Sequence, residues 1–161
     1  MGHRQSIIEL KNYCSDYTLI NPSHYTYCGS CSTPFPPEIG PSNSGIAVFE
    51  KTAGTSCGSV GVVTYDLLNK SGKGNPGKLA IMFSNPFDFN QFENLFGVGV
   101  LPMSTKCDYD LYRKMYYEAE GGYVRGAARD GSLTYTSGSV TITATMTDTC
   151  EPVIRIQVRQ N

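Results

Sequence analysis

The sequence contains no tryptophan, only two histidines and few charged residues: Lys, Arg, Asp and Glu together make up 17% of its 161 residues. Thirteen basic residues balance fourteen acidic ones, and no run of Lys or Arg breaks that balance locally. Proteins that bind nucleic acid through phosphate contacts usually carry a strongly basic surface. We therefore expect no nucleic-acid partner.

Long hydrophobic runs are also missing. No stretch approaches about 18 apolar residues, so the sequence predicts no helix that spans a bilayer. Residues 1–5 lack the apolar stretch of a signal peptide. The chain shows neither an internal repeat nor a low-complexity linker, and its length suits one domain over residues 1–161.

The residues and motifs of common catalytic sites are scarce. Two histidines leave little room for histidine-based catalysis, and the sequence has no glycine-rich phosphate loop or nucleophile elbow. Asp108 and Asp110 are the one plausible carboxylate pair, but they are better interpreted as a helix start, where the helix dipole favours acidic residues. We expect neither an enzyme nor a bound cofactor.

The six cysteines stand at positions 14, 28, 31, 57, 107 and 150. The chain is large enough to fold without disulfides and the spacing is irregular, so we expect mostly free thiols. Cys28 and Cys31 form the one close pair, which leaves a local disulfide open as an alternative to coincidence. A structural zinc site needs a second such pair or two histidine ligands, and only His3 and His24 are available, so we expect no metal site.

Short apolar segments separated by glycine, proline and polar residues indicate a mainly β protein. The later segments alternate apolar and polar residues with period two, as strands with one buried face do. Many short strands at regular spacing favour a β-sandwich. The predicted strands cover residues 6–10, 45–50, 60–67, 78–83, 97–101, 139–146 and 153–159.

One segment breaks the strand pattern. Residues 106–118 contain no glycine or proline and are rich in helix formers, and Asp108 suits the N-cap position. In a helix, four tyrosines fall on one arc, flanked by Leu111 and Met115, which we expect to pack on the sheet. Packing is less expected for four tyrosine rings together, since each buried hydroxyl needs a partner. The four are Tyr109, Tyr112, Tyr116 and Tyr117.

Half of the aromatic residues are concentrated in one part of the chain, since residues 83–117 hold five Phe and four Tyr. Pro86 and the polar residues after it end a strand, so a phenylalanine-rich surface loop leads toward a tyrosine-rich helix. This concentration favours a membrane, partner or ligand site. Packing of the core under a long loop is the alternative.

Two motifs carry a resemblance to a known family. The run Ser84-Asn85-Pro86-Phe87-Asp88-Phe89-Asn90, followed by Tyr112-x-x-x-Tyr116-Tyr117, resembles the actinoporins, the pore-forming cytolysins of sea anemones, and residues 58–65 are also similar. The resemblance implies an actinoporin-like β-sandwich of about ten strands, with a short flanking helix near residues 106–118. It also implies binding of phosphocholine headgroups, especially sphingomyelin, insertion of an N-terminal amphipathic helix and assembly into homo-oligomers on the membrane.

Carried over by position, the resemblance implies a phosphocholine site and a membrane-contact surface. Aromatic faces hold a quaternary ammonium at ~0.5–2 kcal/mol per contact, while hydroxyls donate to phosphate oxygens, so a near-neutral chain suffices. The implied headgroup residues are Val60, Ser84, Pro86, Phe92, Tyr112, Tyr116 and Tyr117. The implied membrane-contact residues are Phe89, Leu95 and Phe96.

The sequence departs from the family pattern at several positions. The tryptophans of the membrane-facing loop are absent, with Gln91, Leu95 and Phe96 in that stretch, and Phe92 stands where the family has a pocket tyrosine. The triplet Arg-Gly-Asp reads 125-RGA-127, so any contact through that aspartate is lost. Tryptophan suits the bilayer interface, so we expect weaker interfacial affinity.

A different class of ligand also fits an aromatic pocket. Fungal fruiting-body lectins resemble the same fold, and aromatic rings stack on sugars, so a carbohydrate-binding lectin is the alternative function. The actinoporin-like motif favours a lipid-binding protein that is secreted or soluble and acts at a target cell membrane.

We expect the 161-residue chain to bind vesicles without releasing a trapped dye. A pore helix must cross a ~30 Å hydrocarbon core, which takes about 20 residues, and residues 1–5 supply only about 7.5 Å of helix. Leakage of dye from sphingomyelin-containing vesicles is the measurement, and strong release would contradict the expectation.

Overall fold

The computed structural model of the chain describes residues 4–72, 76–90 and 92–161. The sequence predictions that concern residues 1–3 and Gln91 lie outside these ranges.

Two six-stranded sheets make up the fold within the described residues. The first sheet has the order β10-β11-β12-β1-β5-β3 and the second has the order β4-β2-β6-β7-β8-β9. All neighbours are antiparallel except β1 and β12, which run parallel. The strands are β1 Gln5–Asn12, β2 Tyr17–Cys28, β3 Ser30–Thr33, β4 Glu38–Ile39, β5 Ser44–Glu50, β6 Ser59–Asn69, β7 Lys78–Asn85, β8 Leu95–Leu101, β9 Tyr123–Ala127, β10 Leu133–Thr136, β11 Val140–Met146 and β12 Val153–Gln160.

The main core lies between the two sheets. In the first sheet, β1 and β11 bury every second residue, as their alternating sequences predict. Ile8 and Leu10 point inward from β1 and meet Phe83 and Phe96 from the second sheet in one hydrophobic cluster. The predicted mainly β sandwich is therefore confirmed, with twelve strands in the described residues rather than about ten.

The central strands β6 and β7 are buried on both faces. Val63 and Tyr65 face the inter-sheet core, whereas Val60 and Val62 face a second cluster on the outer side of the sheet. Strands covered on both sides read as continuous apolar runs. The sequence of β6 has that character because a helix covers its outer face.

This helix, α1, spans Tyr109–Tyr117 and confirms the helix predicted near residues 106–118. Asp108 is its N-cap, with a carboxylate oxygen that accepts the backbone N–H of Leu111 at 3.0 Å. Leu111 and Met115 are buried in the outer cluster, as expected from their positions on the helix. α1 is too short to cross a bilayer, and the described residues contain no helix that is long and apolar enough to do so.

Five strands escaped prediction, namely β2, β3, β4, β9 and β10. The second half of β2 is largely solvent-exposed and interrupted by irregular pairing with β6, so it lacks a clear apolar alternation. β4 has only two residues, too few to show an apolar alternation. A short 3₁₀ turn, Ala128–Asp130, follows β9 directly.

The cysteine pairing differs from the sequence expectation. Cys28 forms a disulfide with Cys57, at a Cα–Cα distance of 5.6 Å, and not with its sequence neighbour Cys31. The reason is topological, because Cys28 ends β2 of the second sheet while Cys31 lies on β3 of the first. The other four cysteines are free, so most thiols are unpaired, as expected.

We predict that Met115→Ala lowers the free energy of unfolding by about 2–4 kcal/mol, because it leaves a cavity between α1 and the sheet. The Met115 side chain is fully buried in the outer cluster. Urea denaturation measures the effect, with Leu68→Ala, at an exposed strand position, as the control. Equal losses for the two variants would contradict the packing described for α1.

Candidate functional site

A cavity of about 260 Å³ opens beside α1, at the end of the second sheet. Four segments form it: the helix, the end of β2, the segment that leads into β6, and the end of β7 with the turn that follows it. All seven headgroup residues implied by the family resemblance line this cavity. The full lining comprises Tyr27, Cys28, Ser56, Cys57, Gly58, Val60, Ser84, Pro86, Phe87, Asp88, Phe92, Tyr112, Tyr116 and Tyr117.

The aromatic wall comes mainly from α1. Tyr112 and Tyr116 are one helical turn apart, with ring centroids 5.6 Å apart, and Tyr117 meets Tyr116 edge-on at 4.8 Å. Exposure rises along this series, from 5% for Tyr112 to 68% for Tyr117. The rings therefore run from the packed floor of the cavity to its solvent-exposed mouth.

Tyr27 extends this wall from the neighbouring strand. Its ring stacks on Tyr112 with centroids 5.2 Å apart and an interplanar angle of 14°. It also lies 5.9 Å from the ring of Tyr109. Sequence reasoning missed Tyr27 because β2 was not predicted. The alternation of Tyr25 and Tyr27 was the one available signal that two rings share a face.

Another part of the lining is formed by small and sulfur-containing residues. The Cys28–Cys57 disulfide joins the end of β2 to the segment before β6, and Val60 lies beside it. Gly58 packs so closely on the turn after β7 that a Cβ at this position would overlap the carbonyl oxygen of Asn85. Only glycine allows this approach of the two backbones.

Buried amides fix the turn that carries Ser84 and Pro86. Asn85 donates from Nδ2 to Oδ1 of Asn94 at 2.9 Å, and Asn94 in turn donates to the carbonyl oxygen of Thr149 at 2.8 Å. These bonds tie the turn to the loop between β11 and β12.

Arg4 holds the same turn from the start of the chain. Its Nε donates to the carbonyl oxygen of Pro86 at 3.2 Å, and its Nη2 donates to that of Phe87 at 3.1 Å. The guanidinium carbon lies 5.2 Å from the ring centroid of Phe89. Sequence reasoning missed this role, because nothing local to Arg4 indicates a partner more than 80 residues away.

The implied membrane-contact residues have three different environments. Phe89 is 38% exposed beside the cavity, and Leu95 is half-buried in an adjoining depression of about 430 Å³ that also contains Phe92. Phe96 is fully buried and packs in the inter-sheet core. Its assignment to the membrane-contact surface is wrong, because successive residues of β8 alternate sides and Phe96 faces inward. The exposed rings at this end of the molecule are instead Tyr27, Phe89, Phe92 and Tyr117.

The sequence matches the sea anemone cytotoxic protein family over residues 4–160. The chain belongs to that family.

Curated relatives are actinoporins and related toxins of sea anemones. The deep-sea actinoporin Cjtox I of Cribrinopsis japonica is 30% identical over 95 residues, which cover 59% of this chain and 40% of that protein. DELTA-alicitoxin-Pse1b of Phyllodiscus semoni is 32% identical over 93 residues, which cover 57% and 38%. The matched segments thus span about two fifths of the length of these relatives. The predicted actinoporin resemblance is confirmed.

Solved structures share the fold at low identity. The lipid-binding protein Nakanori superimposes with a TM-score of 0.72 at 12% identity, covering 98% of this chain and 72% of that one. A mutated form of the Xerocomus chrysenteron lectin XCL superimposes with a TM-score of 0.52 at 11% identity, covering 98% and 99%. At such identities the likeness concerns the fold alone.

The charges around the cavity suit a cationic ligand group. Asp88 is the one formally charged side chain among the described lining residues, and Lys and Arg do not occur in that lining. Cations lie at the rim instead. Lys51 Nζ is 5.1 Å from the ring centroid of Phe87, and the Arg113 guanidinium is 6.0 Å from that of Tyr117. No group of three or more potential metal ligands occurs in the described part of the chain.

Burial raises the pKa of two cavity tyrosines above the ordinary value, so their hydroxyls stay neutral to higher pH than usual. Burial raises the pKa of Tyr112 well above its ordinary value, and the neighbouring Tyr116 and Tyr117 raise it further. Burial also raises the pKa of Tyr116, with an added effect of Tyr117 that Arg125 partly offsets. Neutral hydroxyls remain hydrogen-bond donors, which is the form needed to bind an anionic oxygen.

These raised pKa values predict a loss of stability at high pH. The ordinary tyrosine pKa is 10.0, so above pH 10 the unfolded chain ionises Tyr112 while the folded chain keeps it protonated. The unfolded state then binds fewer protons, and the free energy of unfolding falls as pH rises. Chemical denaturation between pH 8 and about 11 should show this fall, and a shallower one for Tyr112→Phe. An equal decline of the free energy of unfolding in both proteins would show that Tyr112 does not cause the pH dependence.

Proposed function

We propose that the chain binds membrane lipids by taking a phosphocholine headgroup, from sphingomyelin or phosphatidylcholine, into the cavity beside α1. The proposal concerns binding and not catalysis. The observation that carries it is the convergence of all seven implied headgroup residues on one cavity. Membership of the sea anemone cytotoxic protein family supports it, as does the fold shared with a lipid-binding protein.

The choline end of the ligand lies against the tyrosine rings in this proposal. A quaternary ammonium has no hydrogen to donate, so it is attracted by the negative faces of aromatic rings. Tyr116 and Tyr117 supply faces that solvent reaches, and Asp88 adds a negative charge nearby. A cavity without Lys or Arg in its described lining avoids repulsion of the cation.

The phosphate end lies near hydroxyl donors. Ser84 lines the cavity, and the raised pKa values of Tyr112 and Tyr116 leave their hydroxyls protonated at neutral pH. Neutral donors hold a phosphate diester without the desolvation cost of burying a lysine or arginine.

In this proposal, the exposed rings around the mouth contact the bilayer. Tyr27, Phe89, Phe92 and Tyr117 are exposed. Aromatic rings favour the interface between headgroups and acyl chains. We further propose that the protein acts outside the producing cell at a target membrane and that copies assemble there into homo-oligomers.

The proposal predicts that Tyr116→Ala combined with Tyr117→Ala weakens vesicle binding by about tenfold or more, since two cation–π contacts are lost. Co-sedimentation with sphingomyelin-containing vesicles measures binding. Tyr112 is left intact because its ring is part of the outer hydrophobic cluster. Tyr13→Ala is the matched control, an exposed tyrosine directly after β1 and beside Arg159.

Competition distinguishes the lipid from the lectin function. Soluble phosphocholine should displace the chain from vesicles, whereas simple sugars should not. Unchanged binding in the folded tyrosine variant, or displacement by sugar with no effect of phosphocholine, would refute the proposed site.

A further inference from the structure

The lining of the cavity contains a disulfide. Cys28 and Cys57 both line the cavity and are joined to each other, with Tyr27 on one side and Gly58 on the other. Cys28 is buried at the end of β2, whereas Cys57 is half-buried in the connection between β5 and β6. The bond therefore links a fixed strand to a connecting loop at the candidate binding site.

The disulfide is the covalent tie between the loop before β6 and the end of β2. Pairing of β6 with β7 begins only at Ser59, opposite Asn85. Thr52 to Ser56 are all exposed, and Lys51 Nζ donates to the carbonyl oxygens of Thr52 and Thr55. Two non-covalent contacts flank the disulfide, from Lys51 to the ring of Phe87 and from Gly58 to the backbone of Asn85. The disulfide is therefore the covalent part of the attachment of this loop to the cavity.

We propose that the Cys28–Cys57 disulfide controls the cavity, so that the oxidised chain binds its lipid headgroup and the reduced chain binds it much more weakly. This inference rests on the proposed headgroup-binding function. Reduction releases the tie, and residues 52–57 gain conformational freedom that must be lost again when a ligand is enclosed. The chain would then be silent in a compartment that keeps thiols reduced and active in an oxidising one.

The chemistry is thiol–disulfide exchange with a dithiol reductant. One thiolate of the reductant attacks Sγ of the more accessible Cys57, forms a mixed disulfide and releases Cys28 as a thiolate, which takes up a proton. The second thiolate of the reductant then attacks the reductant's first sulfur, which is bonded to Cys57 in the mixed disulfide. Cys57 leaves as a thiolate and takes up a proton. The reductant leaves as a disulfide, oxidised by two electrons, and the protein disulfide is reduced by two.

Two of the four free cysteines, Cys31 and Cys150, serve as controls. Cys14 is buried, and burial, aided by Asp16, raises the pKa of its thiol to about 11. Cys31 lies on β3 of the other sheet, and Cys150 is exposed in the connection between β11 and β12. None of the four free cysteines lines the cavity as described.

The test compares vesicle binding of the oxidised chain, the chain treated with dithiothreitol, and the variant Cys28→Ser/Cys57→Ser. Vesicles contain sphingomyelin and phosphatidylcholine, and near-ultraviolet circular dichroism reports on the fold. We expect about tenfold weaker binding for the reduced chain and for the double variant, with the fold retained. The control variant Cys31→Ser/Cys150→Ser should respond to the reductant as the unmodified chain does.

Each other outcome overturns the inference in a recognisable way. Equal binding of oxidised and reduced chains removes redox control and leaves the proposed function standing. Loss of the folded spectrum on reduction assigns the disulfide a purely structural role. If the redox response disappears in the Cys31→Ser/Cys150→Ser variant, it depends on Cys31 or Cys150 and not on the cavity disulfide. Failure of the oxidised chain to bind vesicles refutes the proposed function and the inference together.

Discussion

The packing of α1 on the outer face of the second sheet is the contact on which the candidate site depends. Val62 and Met82 project outward from β6 and β7, and they are buried only because Leu111 and Met115 cover them. The same contact fixes the rotation of the helix about its axis. Once the apolar side of α1 is fixed on the sheet, Tyr116 and Tyr117 must project toward the turn after β7. A hydrophobic interaction thereby sets the direction of the polar-tipped rings.

The other half of the cavity is held by long-range polar contacts. The turn with Ser84 and Pro86 is tied to the loop after β11 through Asn94, and to the start of the chain through Arg4. The conformation of the turn therefore depends on contacts with residues that are distant in sequence. The helix and the turn come from different parts of the chain, and the disulfide forms a further part of the cavity lining. The aromatic groups thus lie mainly on the helix, and the small residues lie where two backbones approach closely.

Local signals predicted the elements that bury a face. β11 and β12 alternate with period two, and α1 carries an N-cap residue and an apolar stripe, so all three follow from neighbouring residues. β2 was not predicted, because its outer half is exposed and irregularly paired. The two residues of β4 form a strand only because Leu19 and Ile20 lie opposite them.

The candidate site was predicted as a set of residues but not as a structure. The family motif supplied the seven residues, whereas the stacking of Tyr27 on Tyr112 requires the pairing of β2 with β6. The Cys28–Cys57 bond has the same origin, since Cys28 lies opposite Val60 and so beside the loop before β6. Phe96 was misplaced because a match by position ignores which side of β8 a residue occupies.

The parallel pairing of β1 with β12 separates the two ends of the described chain. β1 starts beside the turn of the candidate site, where Arg4 contacts Pro86, and both strands then run away from it. Gln160 accordingly lies by Ser15 and Asp16 at the far end, about 25 Å away along eight strand residues. A molecule immobilised on a sensor surface through Asn161 would present its cavity outward to arriving vesicles. Attachment near Arg4 would turn the same cavity toward the support.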